Sequence, residues 1–164
     1  RLANVRGRVA VHVGPQQVQP AHALAGHQRA GKKKITIVAS KWNAELVDQL
    51  VESGKAHLEE IGLTNIKIVR VPGAWELVHA AQKELVYADA VITYGVVIRG
   101  ETTHYELISE STAQGLMQVS VIAKKPIGFG LIAAENFTQA KERTDPSKLN
   151  KGKEVAQSLV EMLI

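Results

Sequence analysis

The sequence predicts an α/β domain built on a parallel sheet covered by helices on both faces, preceded by a basic arm. Three observations carry this. From residue 35 onward, short β-rich apolar runs alternate with longer stretches of helical spacing. Glycine, proline or asparagine marks most of the changeovers. Hydrophobic residues make up 45% of the 164, a globular fraction and enough for one domain with a real core. Strand–helix–strand units repeated in this way imply right-handed crossovers.

The elements follow in order. Ile35 to Ala39 is a short β-rich run after a lysine cluster. Leu46, Val47, Leu50, Val51, Gly54, Leu58 and Ile61 then recur at helical spacing, and Gly62 is a good stop. Ile66 to Val71 reads as a strand, ended by Pro72-Gly73. A helix is expected from about Trp75 to Leu85. Ala90 to Ile98 is an apolar run typical of a buried parallel strand. It stops at Arg99-Gly100, and a helix is expected from about Thr103 to Ser120, with Thr103 and Glu106 as a capping box. Ile127 to Ile132 is the next strand. Asn136, with Gln139 three residues on, opens a short helix to about Arg143. Asp145-Pro146-Ser147 makes a turn, and a last helix spans Lys151 to Leu163.

The formal net charge of +4 is unevenly placed. Residues 1–34 hold seven bases and no acid; the first acidic residue is Glu45. The remaining 13 of the 20 bases face all 16 acids, so residues 35–164 carry a net −3. The division is therefore a basic arm, 1–34, and a mildly acidic domain, 35–164. The arm contains one strand-like stretch, Val5 to Val13, suited to a sheet edge of its own or a partner's subunit. An Arg-rich, acid-poor leader also suits a transit peptide, but the serine enrichment of one is missing. A nucleic-acid-binding tail rests on charge alone. No apolar run reaches the ~18 residues of a membrane span, and a cytoplasmic location is expected. With no cysteine, disulfides and thiolate chemistry are excluded. The six histidines show no metal-ligand spacing in an acidic context, so no structural metal is expected.

In an open parallel sheet, ligands bind beyond the carboxyl ends of the strands. Four loops occupy those ends: Ser40 to Asn43, Pro72 to Glu76, Arg99 to His104 and Ala133 to Asn136. Both tryptophans of the chain, Trp42 and Trp75, lie in them. Two indoles there favour an aromatic shelf on which a flat ring stacks, against the alternative of core plugs. The first turn of a helix that opens after Gly-Glu-Thr suits a phosphate, through free N–H groups and the positive dipole end. His104 sits in that turn, and an imidazole exchanges protons near neutral pH. Glu76 is either a ligand group or a plain first-turn carboxylate. Arg143 and Lys151, read on their own, are as compatible with solvated surface charge as with a site.

Gly95-Val96-Val97-Ile98-Arg99-Gly100-Glu101-Thr102-Thr103-His104-Tyr105-Glu106 resembles the signature of the 6,7-dimethyl-8-ribityllumazine synthase family of riboflavin biosynthesis. Ser40-Lys41-Trp42-Asn43 is similar to that family's first loop, and Val71-Pro72-Gly73-Ala74-Trp75-Glu76 to its second. Glu135-Asn136, Gln139-Ala140, Glu142-Arg143 and Asn150-Lys151-Gly152 match its closing segment in order and spacing. The likeness covers roughly residues 35–164. It implies a flavodoxin-like three-layer sandwich that forms homopentamers, in some members assembled into an icosahedral shell of 60 subunits. The short Arg143 to Lys151 segment resembles the shell-forming members.

The activity implied is a transferase reaction. 5-Amino-6-(D-ribitylamino)uracil condenses with 3,4-dihydroxy-2-butanone 4-phosphate to give 6,7-dimethyl-8-ribityllumazine and phosphate, without cofactor or metal. Position by position, the resemblance places Trp42 on the pyrimidine and Ala74, Trp75 and Glu76 on the ribityl chain. It places the main chain of Val96, Val97 and Ile98 against the ring, and Glu101 and Thr102 at the phosphate turn. His104 is the implied proton-transfer residue. Phe129, Arg143 and Lys151 are implied to come from the adjacent subunit, with Arg143 on the phosphate. The implied partners are thus two small molecules and further copies of the chain, with no membrane; nucleic acid is not the expected partner. The chain departs from the family pattern at Leu77-Val78, at Ala133-Ala134 and at Thr144-Asp145-Pro146.

Overall fold

Residues 32–163 are described by the computed structural model; the basic segment up to residue 31, with the strand expected at Val5 to Val13, lies outside them. Four strands, β1 (Ile35–Ser40), β2 (Ile66–Val71), β3 (Ala90–Ile98) and β4 (Ile127–Ala134), form one wholly parallel sheet in the order β2-β1-β3-β4. Five helices connect or follow them: α1 (Ala44–Glu60), α2 (Ala74–Glu84), α3 (His104–Ala123), α4 (Phe137–Thr144) and α5 (Lys151–Leu163). Every element expected from residue 35 onward is present. The largest shifts are at the ends of α3, which runs three residues further than Ser120, and of β4, which runs two residues past Ile132.

Alternation along the strands builds the three layers. Ile35, Ile37 and Ala39 of β1 face one side, with Ile92, Tyr94 and Val96 of β3, and meet Leu46, Leu50 and Leu58 of α1 and Ala156 and Leu159 of α5. Val38 and Val91 face the other side and meet Leu77 and Ala81 of α2 and Leu116 of α3. Buried on both faces, β1 and β3 read as continuous apolar runs, and this is why they stood out in the sequence. Gly62 closes α1 at φ 87, a left-handed conformation that glycine adopts without penalty.

Two close approaches fix α1 and α5 against the sheet. The buried Tyr94 hydroxyl donates to the Gly152 carbonyl at 2.6 Å, and a side chain at Gly54 would strike that hydroxyl. On the opposite face, Glu84 is a buried carboxylate. It accepts from Lys67 Nζ at 2.8 and 3.1 Å and from the Thr36 hydroxyl at 3.4 Å. No helix among the described residues is long and apolar enough to cross a membrane.

The sheet order places a topological switch between β1 and β3. The chain leaves β1 towards β2 on one side and leaves β3 towards β4 on the other, so the loops above these two strands diverge and open a crevice.

Candidate active site

The crevice is a cavity of about 700 Å³, a volume suited to a small-molecule ligand. It is lined by Trp42 and Asn43 after β1, Gly73 to Glu76 after β2, Val96 to Ile98 at the end of β3, and His104 and Ile108 on α3. Eight residues expected at the site meet here: Trp42, Ala74, Trp75, Glu76, Val96, Val97, Ile98 and His104. Neither indole is a core plug, since Trp42 is 73% and Trp75 60% exposed. The imidazole and both indoles share one cavity.

Short polar contacts hold the walls. The loops after β1 and β2 are joined by Lys41 N donating to the Val71 carbonyl at 2.8 Å and Trp42 N donating to the Pro72 carbonyl at 3.3 Å. Asn43 sits at φ 56, ψ 45, a left-handed conformation that asparagine tolerates. Its side chain makes no bond to the helix it precedes; Nδ2 instead donates across the switch to the Val96 carbonyl at 3.0 Å. One side chain thereby ties the Trp42 loop to the β3 segment that floors the cavity. Gly73 has an ordinary extended backbone, so space explains it: an added Cβ would lie 3.3 Å from Trp42 Cδ1 and 3.2 Å from Glu76 Oε2.

Glu76 does serve as a first-turn carboxylate, its Oε2 accepting from Gly73 N at 2.8 Å while the residue lines the cavity. The first-turn reading holds, and the carboxylate lies at the cavity wall as well. Asn43, Gly73 and Ile108 are lining residues beyond those singled out. Ile108 lies one helical turn beyond His104, so helical spacing alone points to it.

The capping box expected at Thr103 and Glu106 does not form. Thr103 makes no side-chain cap bond, and Glu106 turns to the Arg99 guanidinium. A charge-assisted bond to arginine outcompetes a neutral backbone amide for a carboxylate, and it holds the Glu106 carboxyl below its ordinary value. The His104 N–H donates to Thr102 Oγ1 at 3.3 Å. Glu101 and Thr102 are exposed at the lip between Ile98 and His104 and do not line the cavity itself. The Asn136 cap forms as expected, Oδ1 accepting from Gln139 N at 2.8 Å.

Phe129, Arg143 and Lys151 do not line this cavity. Phe129 is 49% exposed on β4 at the sheet edge and lines a separate apolar hollow of about 260 Å³ with Leu116 and Met117. Arg143 Nη1 donates to the Gln139 carbonyl at 3.1 Å. Lys151 pairs with Glu154 at 2.8 Å. The departure at Thr144-Asp145-Pro146 makes an ordered helix end: buried Thr144 donates to Gln49 Oε1 at 2.8 Å, and Asp145 Oδ1 accepts from Ser147 N at 2.8 Å and its hydroxyl at 2.7 Å.

Comparison with known proteins matches the sequence to one family. Residues 32–164 fit the family model described as 6,7-dimethyl-8-ribityllumazine synthase. The chain is 39% identical over 134 residues to the enzyme of that name from Rhodopirellula baltica, covering 79% of this chain and 86% of the relative. It is 40% identical over 135 residues to that of Leuconostoc mesenteroides (80% and 86%). Over 134 residues it is 40% identical to that of Bdellovibrio bacteriovorus (81% and 75%). A parallel sheet with helices on both faces, a crevice at the switch point, and these matches lead to one conclusion: the chain belongs to the 6,7-dimethyl-8-ribityllumazine synthase family, enzymes of the transferase class in riboflavin biosynthesis.

Proposed function

We propose that the crevice condenses 5-amino-6-(D-ribitylamino)uracil with 3,4-dihydroxy-2-butanone 4-phosphate, giving 6,7-dimethyl-8-ribityllumazine and phosphate. The observation that carries this reading is that His104 lines the same cavity as Trp42 and Trp75. The pyrimidine stacks on Trp42, a flat ring on an indole face. Main-chain groups of Val96 to Ile98 meet its edge, and the ribityl chain runs along Ala74, Trp75 and Glu76. The main-chain N–H groups of Glu101 and Thr102 receive the phosphate at the start of α3, where the helix dipole favours an anion.

In the reaction the ring amine attacks the ketone, and the carbinolamine loses water to give an imine. The carbon beside the imine gives up its proton as phosphate leaves with the bonding electrons. The resulting enol ketonises, and the ribityl-bearing amine nitrogen closes on that new carbonyl with loss of a second water. The stages move protons among nitrogen, carbon and oxygen, and His104 takes and returns them. The rest of the acceleration is positioning of two substrates in one cavity.

The site is completed by a second copy of the chain. Phe129, Arg143 and Lys151 lie outside their own subunit's cavity, and the resemblance assigns them to the neighbour's. Arg143 would then meet the phosphate with its planar fork. A homopentamer supplies such a neighbour to every cavity, and a 60-subunit shell of twelve such rings does the same. The charge asymmetry of the sequence and the start of the family match at residue 32 support reading residues 1–34 as an arm separate from the domain. The working location is the cytoplasm, where both substrates would be met.

The test is incubation with both substrates, followed by the absorbance of the lumazine. His104→Ala is expected to slow turnover by about 10²-fold or more, the range for loss of a proton-transfer group. Arg143→Ala is expected to raise KM for the phosphate substrate. An intact assembly that binds the pyrimidine and forms no lumazine would contradict the proposal.

A further inference from the structure

Arg99 follows β3 directly and precedes the Gly100 to Thr103 turn. Its place in the sequence suggests a direct contact with phosphate, but the structure turns its donors elsewhere. Nε donates to Glu135 Oε2 at 2.6 Å and Nη2 to Glu135 Oε1 at 3.4 Å. Nη1 donates to Glu106 Oε1. The guanidinium lies over the Tyr105 ring, 4.2 Å from its centre. Its backbone N–H donates to the Ala134 carbonyl at 2.9 Å. One residue therefore fastens the end of β3 to the first turn of α3 and to the corner between β4 and α4.

That corner leads straight to Arg143. Glu135 N donates to Gln139 Oε1 at 2.7 Å, and Gln139 N donates to Asn136 Oδ1, the cap of α4. Arg143 lies one turn beyond Gln139 and donates to its carbonyl. The second oxygen of Glu106 is buried with no side-chain partner, so Arg99 is the main group that offsets this carboxylate.

We propose that Arg99 is a positioning residue for the phosphate-bearing substrate. It fixes the Gly100 to Thr103 turn and the base of α4 relative to each other, and it cancels one of the two carboxylate charges beside that turn. The proposal rests on the preceding reading, in which Glu101 and Thr102 receive the phosphate and α4 carries Arg143 to the next subunit. Without Arg99, Glu106 and Glu135 stand unpaired beside the turn, and their field repels an incoming dianion. The effect falls on substrate rather than on the fold, because ion pairs this exposed add little to stability.

The experiment compares the full chain with Arg99→Ala and Arg99→Lys at matched assembly by sedimentation. KM for the butanone phosphate is expected to rise about tenfold in Arg99→Ala, while KM for the pyrimidine stays within about twofold. Arg99→Lys keeps a charge but loses the fork and the stacking, and recovers only part. Glu106→Gln added to Arg99→Ala should regain part of the lost affinity, an outcome that a merely structural role does not produce. Inorganic phosphate binding, read by calorimetry, should weaken in parallel. This reading needs no turnover: if the wild type makes no lumazine but binds phosphate, the proposed reaction fails while Arg99 is still tested. Equal rises in both KM values, or phosphate affinity unchanged in Arg99→Ala, would overturn the assignment. A wild-type chain that neither turns over nor binds phosphate overturns both.

Discussion

Asn43 offers the sharpest link between sequence, structure and site. Its amide joins the Trp42 loop to the Val96 carbonyl at 3.0 Å, and its backbone is left-handed. In Asn43→Ala two costs combine. The Val96 carbonyl, in a residue only 3% exposed, loses its side-chain partner, at about 1–3 kcal/mol for an unsatisfied buried group. Alanine in the left-handed region costs roughly 1–2 kcal/mol more. The sum is about 2–5 kcal/mol. Asn43→Gly removes the strain and keeps only the first cost, about 1–3 kcal/mol. Asn43→Asp keeps size and backbone preference but sets a carboxylate against a carbonyl, so it should lose at least as much as the glycine variant. Urea unfolding at fixed protein concentration measures all three, and quenching of Trp42 fluorescence by a pyrimidine analogue reads the site. The order Ala worst, with weakened quenching in every variant, is expected. If Ala and Gly both cost under about 0.5 kcal/mol, the amide bridge does not hold the crevice and this reasoning is refuted.

Other outcomes follow from single contacts. Tyr94→Phe leaves the buried Gly152 carbonyl without its 2.6 Å partner and should cost about 1–3 kcal/mol by urea unfolding. Gly152→Ala drives a methyl into the Leu50 carbonyl and the Ser53 hydroxyl; with backbone on one side, relief needs α5 to move away from α1, and a loss of about 1–3 kcal/mol is expected. For pH, Glu106 is held below its ordinary value of 4.5, chiefly by the bond from Arg99. A carboxyl depressed on folding contributes above its unfolded pKa and loses that contribution as pH falls through the folded one. The Arg99 clamp should therefore keep Glu106 ionised at pH 4.5, where a free carboxyl is half protonated, and phosphate KM should show no Glu106 titration down to that pH. A carboxylate titration in KM above that pH, absent in Glu106→Gln, would contradict it.

The layers were legible because both central strands are buried on two faces, and their apolar runs contrast with the helical spacing between them. The site was legible in part. Strand ends, the two tryptophans and the helix start at His104 pointed to one crevice, and the structure brings those groups into one cavity. Side-chain competition was not legible. A capping pattern at Thr103 and Glu106 says nothing of an arginine seven residues before Glu106 that claims the carboxylate. Asn43 was visible as a loop residue, but its reach to Val96 spans 53 positions and depends on strand order. Phe129, Arg143 and Lys151 entered only through the resemblance: Phe129 read simply as part of a strand, and the two cations fitted a solvated surface.

The proposed catalytic cavity is built from two subunits, with His104 from one and Arg143 from the next. Mixing His104→Ala and Arg143→Ala subunits, after dissociation and reassembly, tests this directly. With butanone phosphate held far below the raised KM of Arg143→Ala, each variant alone should be nearly inactive. Random mixing in equal amounts should restore about a quarter of the sites, those that pair an intact His104 with an intact neighbouring Arg143. Mixed assemblies that form fully and show no more lumazine production than the separate variants would contradict the shared site.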